Sequence, residues 1–228
     1  MSRFLISWLF AGGFLTSTLV HAMCLESPQA QNRSRESYLA ALQQQEVEND
    51  AKHARQMSKI LSDIGRGDET AVREDVRGGV SPDAIVNTEP HGISLLAAAV
   101  AMCREQIAED LVALGASANG DRDELPGSAL NEAATIGLAD LAGFLIRHGA
   151  DVNQPDAMGA TPLANAVFQH HPAVVSVLLR HGAKPNYVSR KSGKTLLDLV
   201  ESSKNPVDQT IANELTRFGA RENLKEAR

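Results

Sequence analysis

NEAATIGLADLAGFLIRHGADVN, residues 131–153, is the stretch on which the fold turns. Its first third is rich in alanine, and its second part sets Leu141, Leu145 and Ile146 at helical spacing, so that one face is apolar and the other polar. Gly149 then falls where a helix closes in the left-handed conformation, which glycine adopts at least cost. Just upstream, Ser128 can cap the exposed N–H groups of the first helix with its side-chain oxygen. The spacing therefore predicts two short helices joined by a turn at Gly137. A helix pair of this size cannot bury its own apolar stripe, so neighbours must cover it.

Those neighbours are in the sequence. HGISLLAAAV (91–100), PGSALNEAAT (126–135), MGATPLANAV (158–167) and SGKTLLDLVE (192–201) align, with hydroxyl residues Ser94, Ser128, Thr161 and Thr195 at steps of 34, 33 and 34 residues. A second series, ALGASAN, RHGADVN, RHGAKPN and RFGA, places Gly115, Gly149, Gly182 and Gly219 on the same beat, the last step stretched by an insertion around Ser202 to Asp208. The second helices repeat the stripe with Ile107, Leu111 and Val112, and with Val174, Val175, Leu178 and Leu179. Pro162 stands at a first helical position, where its missing donor costs nothing. Upstream, LSDIGRGDETAVREDVRGGVSPD (61–83) is a degenerate unit with Asp75 where the others carry leucine, as suits a terminal cap with one face in water. Met57, Ile60, Leu61 and Ile64 form its first helix.

The repeat also settles Gly193-Lys194-Thr195, which mimics the end of a phosphate-binding loop. Such a loop needs a second glycine five residues earlier, and that position is Val188. Thr195 is instead a helix cap.

ATPLANAV (160–167), LLRHGAKPN (178–186) and the continuous run 131–153 resemble the ankyrin repeat, T-P-L-H-x-A-A followed by a second helix and G-A-D-x-N. The resemblance covers about Ile64 to Ala220. It implies an all-α solenoid of stacked helix-turn-helix units joined by hairpin-like loops. The chain divides into a signal peptide (1–22), a flexible lead and polar helix (23–56), a degenerate capping repeat (57–84), repeats over 85–222 (about 91–122, 126–155, 158–188 and 192–221) and a tail (223–228). Within 23–56, Cys24 to Arg35 reads as the lead and Glu36 to Lys59 as the helix.

The N-terminus carries Arg3, then an uncharged run from Phe4 to Val20 that ends at Val20-His21-Ala22, the pattern of a leader cut after Ala22. The rival reading is an uncleaved membrane anchor, weakened by Ser7, Gly12, Gly13, Thr16, Ser17 and Thr18. A lipoprotein at Cys24 is disfavoured by the bulk of Met23. Export to the periplasm, or secretion, follows from the leader reading, with no stable membrane insertion once it is cut. Cys24 and Cys103 can pair only if the N-terminus folds back; independent thiols are the simpler reading. A net charge of −6 with no basic block makes nucleic acid a poor partner.

Chemistry is sparse. There is no G-x-S-x-G, no H-E-x-x-H and no glycine cluster, so no catalytic residue and no cofactor is assigned. His148, His170, His171 and His181 invite a metal, but stacked helices lie about 8–10 Å apart whereas zinc ligands converge within about 2.1 Å. An enzymatic alternative is a hydrolase using His170 or His171 with a nearby carboxylate. The resemblance implies a monomeric protein-binding module whose concave face is lined by hairpin tips and by the variable pair after A-A: Ala101 and Met102, Thr135 and Ile136, Phe168 and Gln169. The tips are Asn87–Pro90, Asp121–Leu125, Gln154–Met158 and Val188–Lys191, the second acidic and the fourth basic. Met102, Ile136 and Phe168 are apolar where the fold does not require it, so they either anchor a partner or pack under a neighbouring loop. Similar exported ankyrin proteins include immunity proteins that neutralise a secreted toxin or lipase; scaffolds and envelope-stress accessories share the same features.

Overall fold

The computed structural model describes residues 28–88, 91–119, 128–190, 192–203 and 205–222. The signal segment, Cys24 and the tip 121–125 lie outside the described residues, as do Glu89, Pro90 and Lys191 at the ends of two other tips.

Helix α1 spans Pro28–Arg66. It starts inside the segment read as a flexible lead and continues unbroken past residue 56. The reason is local: Pro28 suits a first helical position, and neither glycine nor proline recurs before Gly65. Contacts divide the chain at Gln56/Met57 into two compact units. In the second unit the end of α1 buries Met57, Ile60 and Ile64 and is succeeded by α2 (Glu69–Arg77). A two-stranded antiparallel hairpin comes next, β1 (Ile85–Thr88) and β2 (His91–Ser94), with Val86 opposite Ile93. This small sheet departs from a purely helical expectation; the tip ahead of the first full repeat is hydrogen-bonded as strands.

Four helix pairs complete the unit: α3 (Leu95–Ala101) with α4 (Glu105–Ala113), α5 (Ala129–Ile136) with α6 (Ala139–Arg147), α7 (Pro162–Phe168) with α8 (Pro172–Arg180), and α9 (Leu196–Glu201) with α10 (Pro206–Arg217). The first helices stack in one layer, α3 on α5 on α7 on α9, and α6, α8 and α10 stack in a second. Each first helix is capped as its sequence requires. Ser94, Ser128, Thr161 and Thr195 accept from the N–H three residues on, at 3.1, 3.3, 3.2 and 3.1 Å, and Asp198 closes a reciprocal bond to the Thr195 N–H at 2.8 Å. Thr195 is thus a capping residue and Gly193-Lys194 a turn. Gly115, Gly149, Gly182 and Gly219 end the second helices at φ between 86° and 103°. Four residues before each glycine, Leu111, Leu145, Leu178 and Leu215 are fully buried at 0 % exposure, which makes one continuous core between the layers.

In the degenerate unit the same place holds Asp75, and charge takes over from packing. Lys59 Nζ lies 2.7 Å from Asp75 and 3.0 Å from the buried Asp63, which also pairs with Arg66. Burial alone would raise the Asp63 carboxyl, but the hydrogen bonds from Lys59 and Arg66 outweigh it and hold it below the usual carboxylate range.

The asparagines that close each G-A-x-x-N run have a structural task that periodicity does not reveal. Asn119 donates to Gly149 O at 2.8 Å and accepts from Asp151 N at 2.6 Å; Asn153 bridges Gly182 O and Lys184 N in the same way, and Asn186 bridges Gly219 O and Arg221 N. Asp83 opens this ladder by accepting from Ser117 N at 2.6 Å. Each asparagine satisfies two backbone groups of the next turn and Asp83 one, so each of these repeats fixes its successor.

Candidate functional site

The six candidate contact residues sit at the ends of α3, α5 and α7, on neighbouring helices of one layer. Register from the capping hydroxyls makes Ala101, Thr135 and Phe168 equivalent, and likewise Met102, Ile136 and Gln169. Ala101, Thr135 and Gln169 are exposed, Ile136 is half-buried, and the two largest exposed side chains are Met102 at 38 % and Phe168 at 40 %. Met102 is also partly packed, since its Sδ lies 3.7 Å from where a Cβ on Gly65 would stand. Thr135 turns its hydroxyl back to Asn131 O at 2.9 Å.

Toward the tips the layer becomes polar. Asp156 organises its turn by accepting from Met158 N at 2.9 Å and Ala160 N at 2.8 Å. Asn165 joins this turn to the preceding repeat, reaching Asp156 at 3.1 Å and Asn131 at 3.2 Å, while Asn131 donates to Gln154 O at 3.1 Å. On α5, Glu132 is half-buried; burial first, and then the charge of Asp156, push its carboxyl above the usual range. Met158, 84 % exposed, and Val188, 48 % exposed, protrude from two successive tips. The Arg190 guanidinium lies over Gly159, 3.0 Å from where a Cβ would stand.

The histidines do not converge. His148 stacks on Phe144 with centroids 4.3 Å apart, His171 Nε2 meets Thr135 O at 3.1 Å, and His170 Nδ1 meets Asp208 Oδ1 at 2.6 Å. Among the described residues no three metal-ligating side chains group together. His170 does have the carboxylate that a hydrolase reading asks for, and no hydroxyl or thiol is hydrogen-bonded to its ring among the described residues. Cys103 is an exposed thiol. No described helix is long and apolar enough to cross a membrane.

Sequence reasoning missed a set of contacts between repeats. Eleven residues before the closing glycines stand Arg104, Leu138, His171 and Asp208. Arg104 donates to Gly65 O, His171 meets Thr135 O, and Asp208 meets His170, each reaching back to the helix turn of the preceding repeat. The signal was available in the glycine register, but the residue types differ so much that only geometry unites them.

Comparison with known proteins agrees with this architecture. Residues 94–189 match the family model for ankyrin repeats in three copies. An ankyrin repeat-containing protein of Treponema pallidum is 35 % identical over 105 residues, covering 46 % of this chain and 35 % of the relative. Serine/threonine-protein kinase 12 of Arabidopsis thaliana is 34 % identical over 111 residues, 48 % of this chain and 24 % of the kinase. The Notch protein of Drosophila melanogaster is 37 % identical over 94 residues, 41 % of this chain and 4 % of its own length. The chain thus spans about a third or less of these relatives, and the likeness is one of repeats rather than of whole proteins. The chain carries ankyrin repeats.

Proposed function

We propose that the chain is a non-enzymatic binding module that grips a protein partner through the helix ends bearing Ala101, Met102, Thr135, Ile136, Phe168 and Gln169. Repeats of this kind are generally protein–protein interaction modules. The observation that carries the reading is the exposure of Met102 and Phe168 at 38 % and 40 %, on a layer whose other large apolar side chains are buried or half-buried. Large apolar groups that fold stability does not need are what an interface uses as anchors. In this reading the activity belongs to the periplasm, which the leader-like N-terminus supports, and in its more specific form the partner is an envelope-targeting toxin or lipase that the chain neutralises.

Affinity capture from envelope extract with the tagged protein tests this, with Phe168→Asp as control. The expected result is a single partner retained by the wild type and lost by the variant, at unchanged thermal stability. If Phe168→Asp unfolds the protein, Phe168 is core. If it retains the same partner, the binding surface is elsewhere.

A further inference from the structure

His170 and Asp208 are two unfavourable choices that touch. In the first three full repeats the turn between the helices holds the residue nine after the capping hydroxyl left-handed: Cys103 at φ 55°, Gly137 at 97° and His170 at 58°. Glycine is the natural occupant, and any other residue costs about 1–2 kcal/mol. Asp208 is 1 % exposed, and its Oδ2 has no hydrogen-bond partner among the described residues. A buried carboxylate with half its acceptors unmet is expensive. The fold does not require it there, because the equivalent position in the second repeat is Leu138, which packs against the core without any polar bond.

What the two choices achieve is a fixed imidazole. Its side chain is 43 % exposed, on the same turn as Phe168 and Gln169, and a carboxylate against Nδ1 can only accept, so Nδ1 carries the hydrogen. In the neutral ring Nε2 is then an acceptor, and it makes no hydrogen bond among the described residues. Behind it lies the buried negative charge of Asp208. Such an acceptor, backed by a carboxylate, complements a cationic donor.

We propose that His170, held in place by Asp208, is a preorganised contact residue of the binding face and receives a lysine or arginine side chain of the partner protein. The contact also ties the fourth repeat to the third, but Leu138 makes the equivalent junction without a buried charge, so local strain and a buried carboxylate on one exposed ring point to recognition. The proposal rests on the protein-binding reading above and adds the partner's chemistry to it.

A phage-displayed library of random 16-residue peptides, selected at pH 8 against the full chain, supplies the probe. Enriched peptides are synthesised and titrated against the wild type, His170→Gly/Asp208→Leu, His170→Gln and Phe168→Asp. The double variant carries residue types the fold already accepts at equivalent positions, so it should keep or raise the melting temperature. It should also weaken the peptides at least tenfold. Replacing the peptides' lysine or arginine with methionine should cost tenfold on the wild type and less than twofold on the double variant. Should the double variant fail to fold, His170→Gln decides, since its NH2 can still donate to Asp208 while its only acceptor, the carbonyl on the same carbon, no longer stands where the imidazole Nε2 stood; a tenfold loss is again expected. Peptides that bind these variants within twofold of wild type, yet are lost with Phe168→Asp, would overturn the role of His170 and leave the binding face intact. Failure to enrich any peptide would count against the binding face itself, and against His170 with it.

Discussion

Gly137 shows how much one residue can carry. It is left-handed at φ 97°, and a Cβ there would stand 2.7 Å from Nδ1 of His171, the ring that ties the next repeat back to Thr135. Gly137→Ala should therefore cost about 1–3 kcal/mol in urea unfolding, the upper part from displacing His171. Gly115→Ala is the control: its φ is 103° but nothing lies within 4 Å of the added carbon, so only the backbone term remains. Equal losses in the two variants would show that the His171 contact is unimportant. Glu132 makes the opposite case, a residue that weakens the fold. Its folded pKa is raised, by burial and then by Asp156, so the folded state binds the proton more tightly than the unfolded one. Stability is then lost as pH rises from the ordinary glutamate range, about 4.3, through the raised value. Glu132→Gln should stabilise at pH 7 and change nothing at pH 3, as thermal melts at the two values would show. The hydroxyl caps and left-handed glycines could be read from residue type alone, because each meets a local backbone need. The elevated carboxyl of Glu132 could not, because Asp156 lies 24 residues away in the chain and is brought near only by stacking.

At the level of helices, the stripe is what sequence periodicity states and packing makes use of. Leu145 on α6 is fully buried at 0 %, and Leu111, Leu178 and Leu215 hold the same place in their own repeats. Leu145→Ala should cost about 2–5 kcal/mol, measured by urea titration. A near-neutral outcome would mean that the repeat register is wrong. Two elements depart from simple expectation, and both have local causes. Helix α1 runs on from Pro28 because no breaker interrupts it before Gly65, and the tip ahead of α3 pairs as strands, with β-branched Val86 and Ile93 facing each other across the ladder. The third helix-end pair illustrates a subtler limit. Phe168 and Gln169 are exposed, whereas Ile136 in the second repeat is half-buried, since how deeply a helix end is covered depends on the length and course of its neighbour.

Across the repeat array, stability is a sum of units and their interfaces, so the ends can loosen while the middle holds. The capping unit keeps Met57, Ile60, Ile64 and Val72 in the core but holds Asp75, paired in a network with Lys59, Asp63 and Arg66, where the other repeats bury a leucine. Asp63 has a depressed folded pKa, so its contribution is complete above the ordinary carboxylate range, about 3.9, and is lost as pH falls through the lower folded value. Hydrogen exchange should therefore show the amides of α2 (Glu69–Arg77) losing protection in acid below about pH 4 while those of α5 and α6 stay protected. Asp63→Asn should abolish that difference between low and neutral pH. By itself the sequence determined the repeat period, the caps, the turns and the apolar stripes, because all of these answer to interactions within a few residues or to the arithmetic of burial. Only the tertiary structure decided what stands next to what between repeats: the asparagine ladder, Arg104 and His171 reaching back to carbonyls, and buried Asp208 holding His170. Those contacts join residues some 30 to 39 positions apart whose types need not match, so no periodic pattern records them.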